Sequence, residues 1–192
     1  MGHREQLLAG AKRSLYERGY ARTTARDIVA ASGTNLASIG YHFGSKEALL
    51  TAAMIEAMND WGDTLQRRLE VDERLPPPDR LRALCDQVIA AIRDDRALWA
   101  ASVDVFTQTD HQPDLRARIA AAYEAARPWF GALVAGGPDE RSPQGQDTAR
   151  AVGSLVLALI SGLTVQWLLD PEHAPTGADL ALAVRAVAEA GG

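Results

Sequence analysis

Apolar residues recur every three to four positions along almost the whole chain, and sustained polar/apolar alternation is nearly absent. That pattern predicts an all-α fold of nine helices. A first helix over about 4–18 gathers Leu7, Leu8, Ala11 and Leu15 on one face and stops at Gly19. Thr24 and Asp27 have capping-box spacing and start a second helix that ends near Ala31. Ser32-Gly33-Thr34 supplies a turn, after which Asn35 caps a third helix running to about His42. Two short helices joined by a glycine-containing turn make a helix-turn-helix unit.

Ser45 caps a long helix expected from Lys46 to about Glu70, with Leu50, Met54, Ala57, Met58, Trp61, Leu65 and Leu69 facing a core. At roughly 37 Å it is long enough to be a rigid lever between two domains, which divides the chain into a head over 1–46 and a body over 47–192. Pro76-Pro77-Pro78 breaks the chain before helices from Asp79 to about Asp94 and from Arg96 to Thr109. Pro113 opens the next, expected to reach Val134 with a kink or division at Pro128. Gly136-Gly137-Pro138 ends it. After the polar loop 139–142, a helix opening near Pro143 turns strongly apolar from Ala149 to Leu169, and a second capping box, Thr176 with Asp179, starts a last helix to Ala190.

Composition narrows the class. With 192 residues, 47% hydrophobic and 23% charged, the chain falls among globular proteins. No uninterrupted apolar stretch reads as long enough to span a bilayer, and the start lacks a signal-peptide layout, so a cytoplasmic protein without a membrane partner is expected. The single cysteine, Cys85, excludes an intramolecular disulfide and reads as a small core residue. No nucleophile elbow, P-loop or His-Glu-x-x-His pair appears, and the histidines at 3, 42, 111 and 173 are scattered, so neither an enzyme nor a cofactor or metal site is expected.

The net charge of −5 is the wrong sign for a nucleic-acid binder until it is divided: residues 1–50 carry seven Lys and Arg against four Asp and Glu, a balance of +3 that leaves −8 for the remainder. A major groove about 12 Å wide admits one helix with short or hydrogen-bonding side chains outward. From Asn35 to His42, Ile39 with Phe43 anchor inward, while Asn35, Leu36, Ala37, Ser38, Tyr41 and His42 remain available outside.

Gly19-Tyr20, Thr23-Thr24-Ala-Arg-Asp-Ile28, Gly33 and Ile39-Gly-Tyr-His-Phe-Gly-Ser-Lys-Glu-Ala-Leu-Leu50 together resemble the N-terminal domain of TetR-family transcriptional regulators over residues 4–55. The resemblance implies that Thr24 meets a DNA phosphate at a helix start, that Lys46 meets another, and that Asn35, Leu36, Ala37, Ser38, Tyr41 and His42 face the groove. Gly40 departs from the tyrosine often found there, and Leu15 from a phenylalanine.

It also implies later helices that enclose an effector pocket and a last pair that forms a four-helix bundle with a partner subunit. Trp99, Val103, Phe106, Tyr123, Trp129, Phe130, Gln166 and Trp167 are the pocket candidates and would suit a largely apolar or aromatic ligand, although an ordinary core has the same pattern. The small residues Ser154, Ala158, Ser161, Gly162 and Val165, with Leu180, Val184, Val187 and Ala188, form the expected homodimer seam. The implied function is a repressor of a palindromic operator in double-stranded DNA, released by a small-molecule effector. The alternative is a constitutive or architectural DNA-binding regulator whose body only dimerises or binds a protein partner.

Overall fold

Most of the helices begin where a side-chain oxygen accepts from a free backbone N–H of the first turn. The computed structural model describes residues 2–68, 74–136 and 142–190. Among them are α1 (His3–Arg18), α2 (Ala25–Ser32), α3 (Leu36–Phe43), α4 (Lys46–Arg68), α5 (Pro77–Asp94), α6 (Arg96–Gln108), α7 (Pro113–Ala135), α8 (Pro143–Leu169) and α9 (Gly177–Ala190). A single 3-10 turn, Thr109–His111, precedes α7, and the described residues contain no strand.

Thr24 and Asp27 close their capping box, as do Thr176 and Asp179. Asn35 Oδ1 accepts from Ser38 N at 3.0 Å, Ser45 Oγ from Ala48 N at 3.0 Å and Ser142 Oγ from Gly145 N at 3.0 Å. Asp95 caps α6 by accepting from Leu98 N at 3.1 Å, a start signal the sequence reading did not use. Gly33 ends α2 in the left-handed conformation, φ 68° and ψ 23°, which glycine adopts without a Cβ penalty.

The described residues divide into two compact units, 1–64 with 95–119 and 65–94 with 120–192. In the first, Leu7, Ala11 and Leu15 of α1 are buried with Ile28, Ile39, the α4 residues Leu49, Leu50, Ala53, Met54 and Ala57, and Leu98, Ala101 and Val105 of α6. Each wholly buried leucine contributes about 1.5–3 kcal/mol. Met58 and Trp61 continue the α4 stripe half-buried; the Leu65 side chain and Leu69 lie outside the described residues. In the second unit α5 buries Leu81, Leu84, Cys85, Val88, Ile89 and Ile92. Cys85 is wholly buried, and desolvation pushes its thiol up to about 12.

Two expectations are corrected. Pro128 does not divide α7, which runs unbroken from Pro113 to Ala135. Packing holds it on both sides of the proline: a Cβ on Gly131 would overlap the Ala149 carbonyl oxygen of α8, and a Cβ on Gly153 of α8 would overlap the Arg127 carbonyl oxygen. The two backbones therefore meet directly.

The second correction concerns α8, which by length and composition alone is long and apolar enough to cross a membrane. Its Ser and Thr residues do not interrupt the apolar run, because Ser154, Ser161 and Thr164 return their hydroxyls to the carbonyls of Arg150, Leu157 and Ile160 at 2.8, 2.9 and 2.8 Å. Gly153, Val156, Ile160, Leu163 and Thr164 form its buried side.

Candidate nucleic-acid interface

Three elements of the first unit carry the expected DNA contacts. At the start of α2, the exposed Thr24 is committed to Asp27. Its hydroxyl donates to Asp27 Oδ2 at 2.6 Å, its N–H donates to the same oxygen at 2.9 Å, and its Oγ accepts from Asp27 N at 3.2 Å. These bonds, the hydroxyl's first, hold the Asp27 carboxyl below the ordinary carboxylate range, with Arg18 adding a 3.4 Å ion pair. The cap leaves the N–H groups of Ala25 and Arg26 at the helix mouth, where an anion is favoured.

Along α3, Ile39 is buried and Phe43 is half-buried beneath the Arg4 guanidinium, 5.3 Å from its ring centroid. The opposite side exposes Asn35, Leu36, Ala37, Gly40 and Tyr41. Leu36 is 52% exposed and Tyr41 86%. His42 is half-buried and edge-on to Tyr41 at 4.9 Å. Ser38 departs from the outward placement expected of it: it is 8% exposed, and its hydroxyl donates to Asn35 Oδ1 at 3.1 Å. The cap geometry draws it inward, because the residue three beyond the cap turns toward the capping oxygen.

Lys46, at the start of α4, donates to the Thr23 carbonyl at 3.2 Å and lies 3.3 Å from Glu47 Oε1. Thr23 is itself buried, donating to the carbonyls of Ser14 and Gly19. Tyr20, 3% exposed, reaches Thr51 at 3.2 Å, and burial raises its phenol above the ordinary value. The sequence reading used Tyr20 and Thr23 only as marks of resemblance; in the structure they tie the α1–α2 link to α4. A second tie is Lys12, whose ammonium lies 2.7 Å from both Glu56 and Asp60.

The pocket candidates fall in both units. In the first, Trp99 is buried edge-on to Trp61 at 5.0 Å with its Nε1 donor unpartnered among the described residues, Val103 is half-buried and Phe106 is 42% exposed. In the second, Tyr123 is half-buried with its hydroxyl 3.4 Å from Ser161, Trp129 packs edge-on to the buried Phe130 at 4.7 Å, Gln166 is exposed, and Trp167 donates to the Pro175 carbonyl at 3.0 Å. A cleft of about 200 Å³ lies between the first turns of α4 and α7, lined by Ser45, Thr51, Pro113 and Arg118 among others and by none of the pocket candidates.

Of the seam residues, Ala158, Ser161, Val165, Val187 and Ala188 are exposed, while Ser154, Gly162, Leu180 and Val184 are half-buried. Leu155, Leu169 and Leu182 widen the exposed apolar surface of α8 and α9 at 49%, 79% and 66%.

Residues 7–53 match the family model for bacterial regulatory proteins of the tetR family, and residues 77–191 match the model for the C-terminal part of BetI-type transcriptional repressors. The chain is similar to the probable HTH-type transcriptional regulator ArpR of Pseudomonas putida, 28% identical over 173 residues that cover 88% of this chain and 81% of that protein. It is 26% identical over 172 residues to the HTH-type transcriptional regulator TtgR of Pseudomonas putida, with the same two shares. Its fold is that of a TetR transcription regulator from Haloarcula marismortui, with a TM-score of 0.67 and 21% identity over 97% of this chain and 95% of that one. With a regulator's helix-turn-helix at one end and a repressor-type body matched over more than half its length, the chain belongs to the TetR family of transcriptional regulators.

Proposed function

We propose that the chain is a sequence-specific repressor that binds a palindromic operator as a homodimer in the cytoplasm and is released by a small, largely apolar or aromatic effector. Residues 1–46 are the DNA-binding head and 47–192 the effector and dimerisation body. The observation that carries the DNA reading is the outward face of α3, where Leu36, Ala37, Gly40 and Tyr41 stand exposed on a capped helix beside the capped start of α2 and Lys46. The similarity of residues 77–191 to BetI-type transcriptional repressors supports the sign of regulation.

Two further features support the rest of the reading. The exposed Leu155, Val165, Leu169, Leu182 and Val187 on α8 and α9 favour burial against a second copy. The Nε1 of the buried Trp99 is a hydrogen-bond donor with no partner among the described residues, fitting an effector with one acceptor on an aromatic or aliphatic body. Selecting duplexes from a random pool, then titrating the complex with aromatic and aliphatic compounds, tests the reading. A palindromic consensus released by such a compound supports it; a complex indifferent to every compound returns the chain to a constitutive regulator.

A further inference from the structure

The helix expected to enter the groove is almost stripped of hydrogen-bonding side chains. Specific reading of guanine and adenine edges relies on Arg, Lys, Asn or Gln presented in pairs of bonds. Within Leu36–Phe43 none of these occurs. Asn35, at the cap, spends its carbonyl oxygen on Ser38 N and Ser38 Oγ, at 3.0 and 3.1 Å, and Ser38 is itself buried by that arrangement. The outward stripe is instead Leu36, Ala37, Gly40 and Tyr41, neighbours at spacings of three and four. A Cβ added to Gly40 would meet nothing within 4 Å, so the helix surface at Gly40 is open and a ligand group can approach the backbone there.

Given the groove-facing role of α3 proposed above, we propose that this chain selects its DNA site through the C5-methyl groups of thymine. Leu36 and Ala37 supply the apolar contact, Gly40 gives the methyl group room against the helix backbone, and the Tyr41 ring closes the far wall. Of the groups a base pair shows in the major groove, the thymine methyl is the one an aliphatic surface recognises. The hydroxyl of Tyr41 and the amide of Asn35 remain to fix the register.

The test uses the full-length protein and a duplex selected from a random pool. Each thymine of the selected half-site is replaced in turn by deoxyuridine, which removes only the methyl group, and Kd is read by fluorescence anisotropy at fixed salt. At one or more positions the dissociation constant should rise about fourfold, the equivalent of one methyl group left unburied. Leu36→Ala should abolish that penalty, and Gly40→Ala, whose Cβ has open space in the protein, should weaken binding to the selected site while the protein stays folded. Deoxyuridine without effect at every position, together with a loss on replacing guanine by 7-deazaguanine, overturns the proposal and assigns reading to hydrogen bonds. If no sequence is enriched at all, the groove-facing role of α3 falls, and the methyl proposal with it.

Discussion

The ammonium of Lys46 donates to the carbonyl of Thr23 at 3.2 Å, fastening the first turn of α4 to the residue that precedes the cap of α2. The two helix starts expected to meet phosphate are thereby held as one piece. Lys46→Ala should weaken binding to all DNA sequences by a similar factor and lower the slope of log affinity against log salt by about one contact. Anisotropy titrations across a salt series measure both. An unchanged slope beside a lowered melting temperature would leave Lys46 as a fastener alone.

Ser38 and Leu36 should separate cleanly. Ser38→Ala removes a hydroxyl that is already turned inward onto Asn35, so it should cost about 1 kcal/mol of stability and leave the selected DNA sequence unaltered. Leu36→Ala should do the reverse, with an unaltered melting temperature and a relaxed consensus. A changed consensus for Ser38→Ala would mean that the Asn35 contact opens on DNA.

Gly40→Ala should stabilise the free protein by about 0.5–1 kcal/mol, since an exposed mid-helix glycine carries excess unfolded-state freedom and the added methyl meets no neighbour. Denaturant unfolding with an unchanged slope would register the gain. Destabilisation would place an atom against that side of α3.

The α2 capping box should give the head an acid limb. Hydrogen bonds from Thr24 place the folded pKa of Asp27 below the ordinary 3.8. Stability from this carboxylate is therefore full above 3.8 and is lost as pH falls through the lowered folded value. Asp27→Asn should flatten that limb in a series of thermal melts. Thr24→Ala should flatten it too, with a further loss of about 1 kcal/mol at neutral pH from the missing cap.

On the proposed dimer, Leu182→Glu places a charge on the exposed surface of α9, where leucine is 66% exposed. Sedimentation should show a species of twice 20.6 kDa for the wild type and a shift toward the single chain for the variant. A wild type that sediments as one chain would sink the seam.

The helix order was legible because several starts carry their own chemistry: Thr24, Asn35, Ser45 and Thr176 each cap through a side-chain oxygen. The inward side of α3 was also legible from Ile39 and Phe43. Ser38 was not, because periodicity assigns a face while the cap three residues earlier decides where a short hydroxyl points. The division expected as one outcome at Pro128 failed for a related reason: a proline's cost is local, and the contacts that offset it come from α8, distant in sequence. Tyr20 and Thr23 escaped a structural role because the partners that fix them, Thr51 and Ser14, lie 31 and nine residues away and follow no short spacing.

Where Gly131 and Gly153 let α7 and α8 touch main chain to main chain, no rotamer stands between the helices to yield under load. Other helix pairs slide on side chains that can swing; this one has nothing to swing. A methyl group at either glycine would have to part the two main chains, so the crossing admits no side chain larger than hydrogen at those two positions.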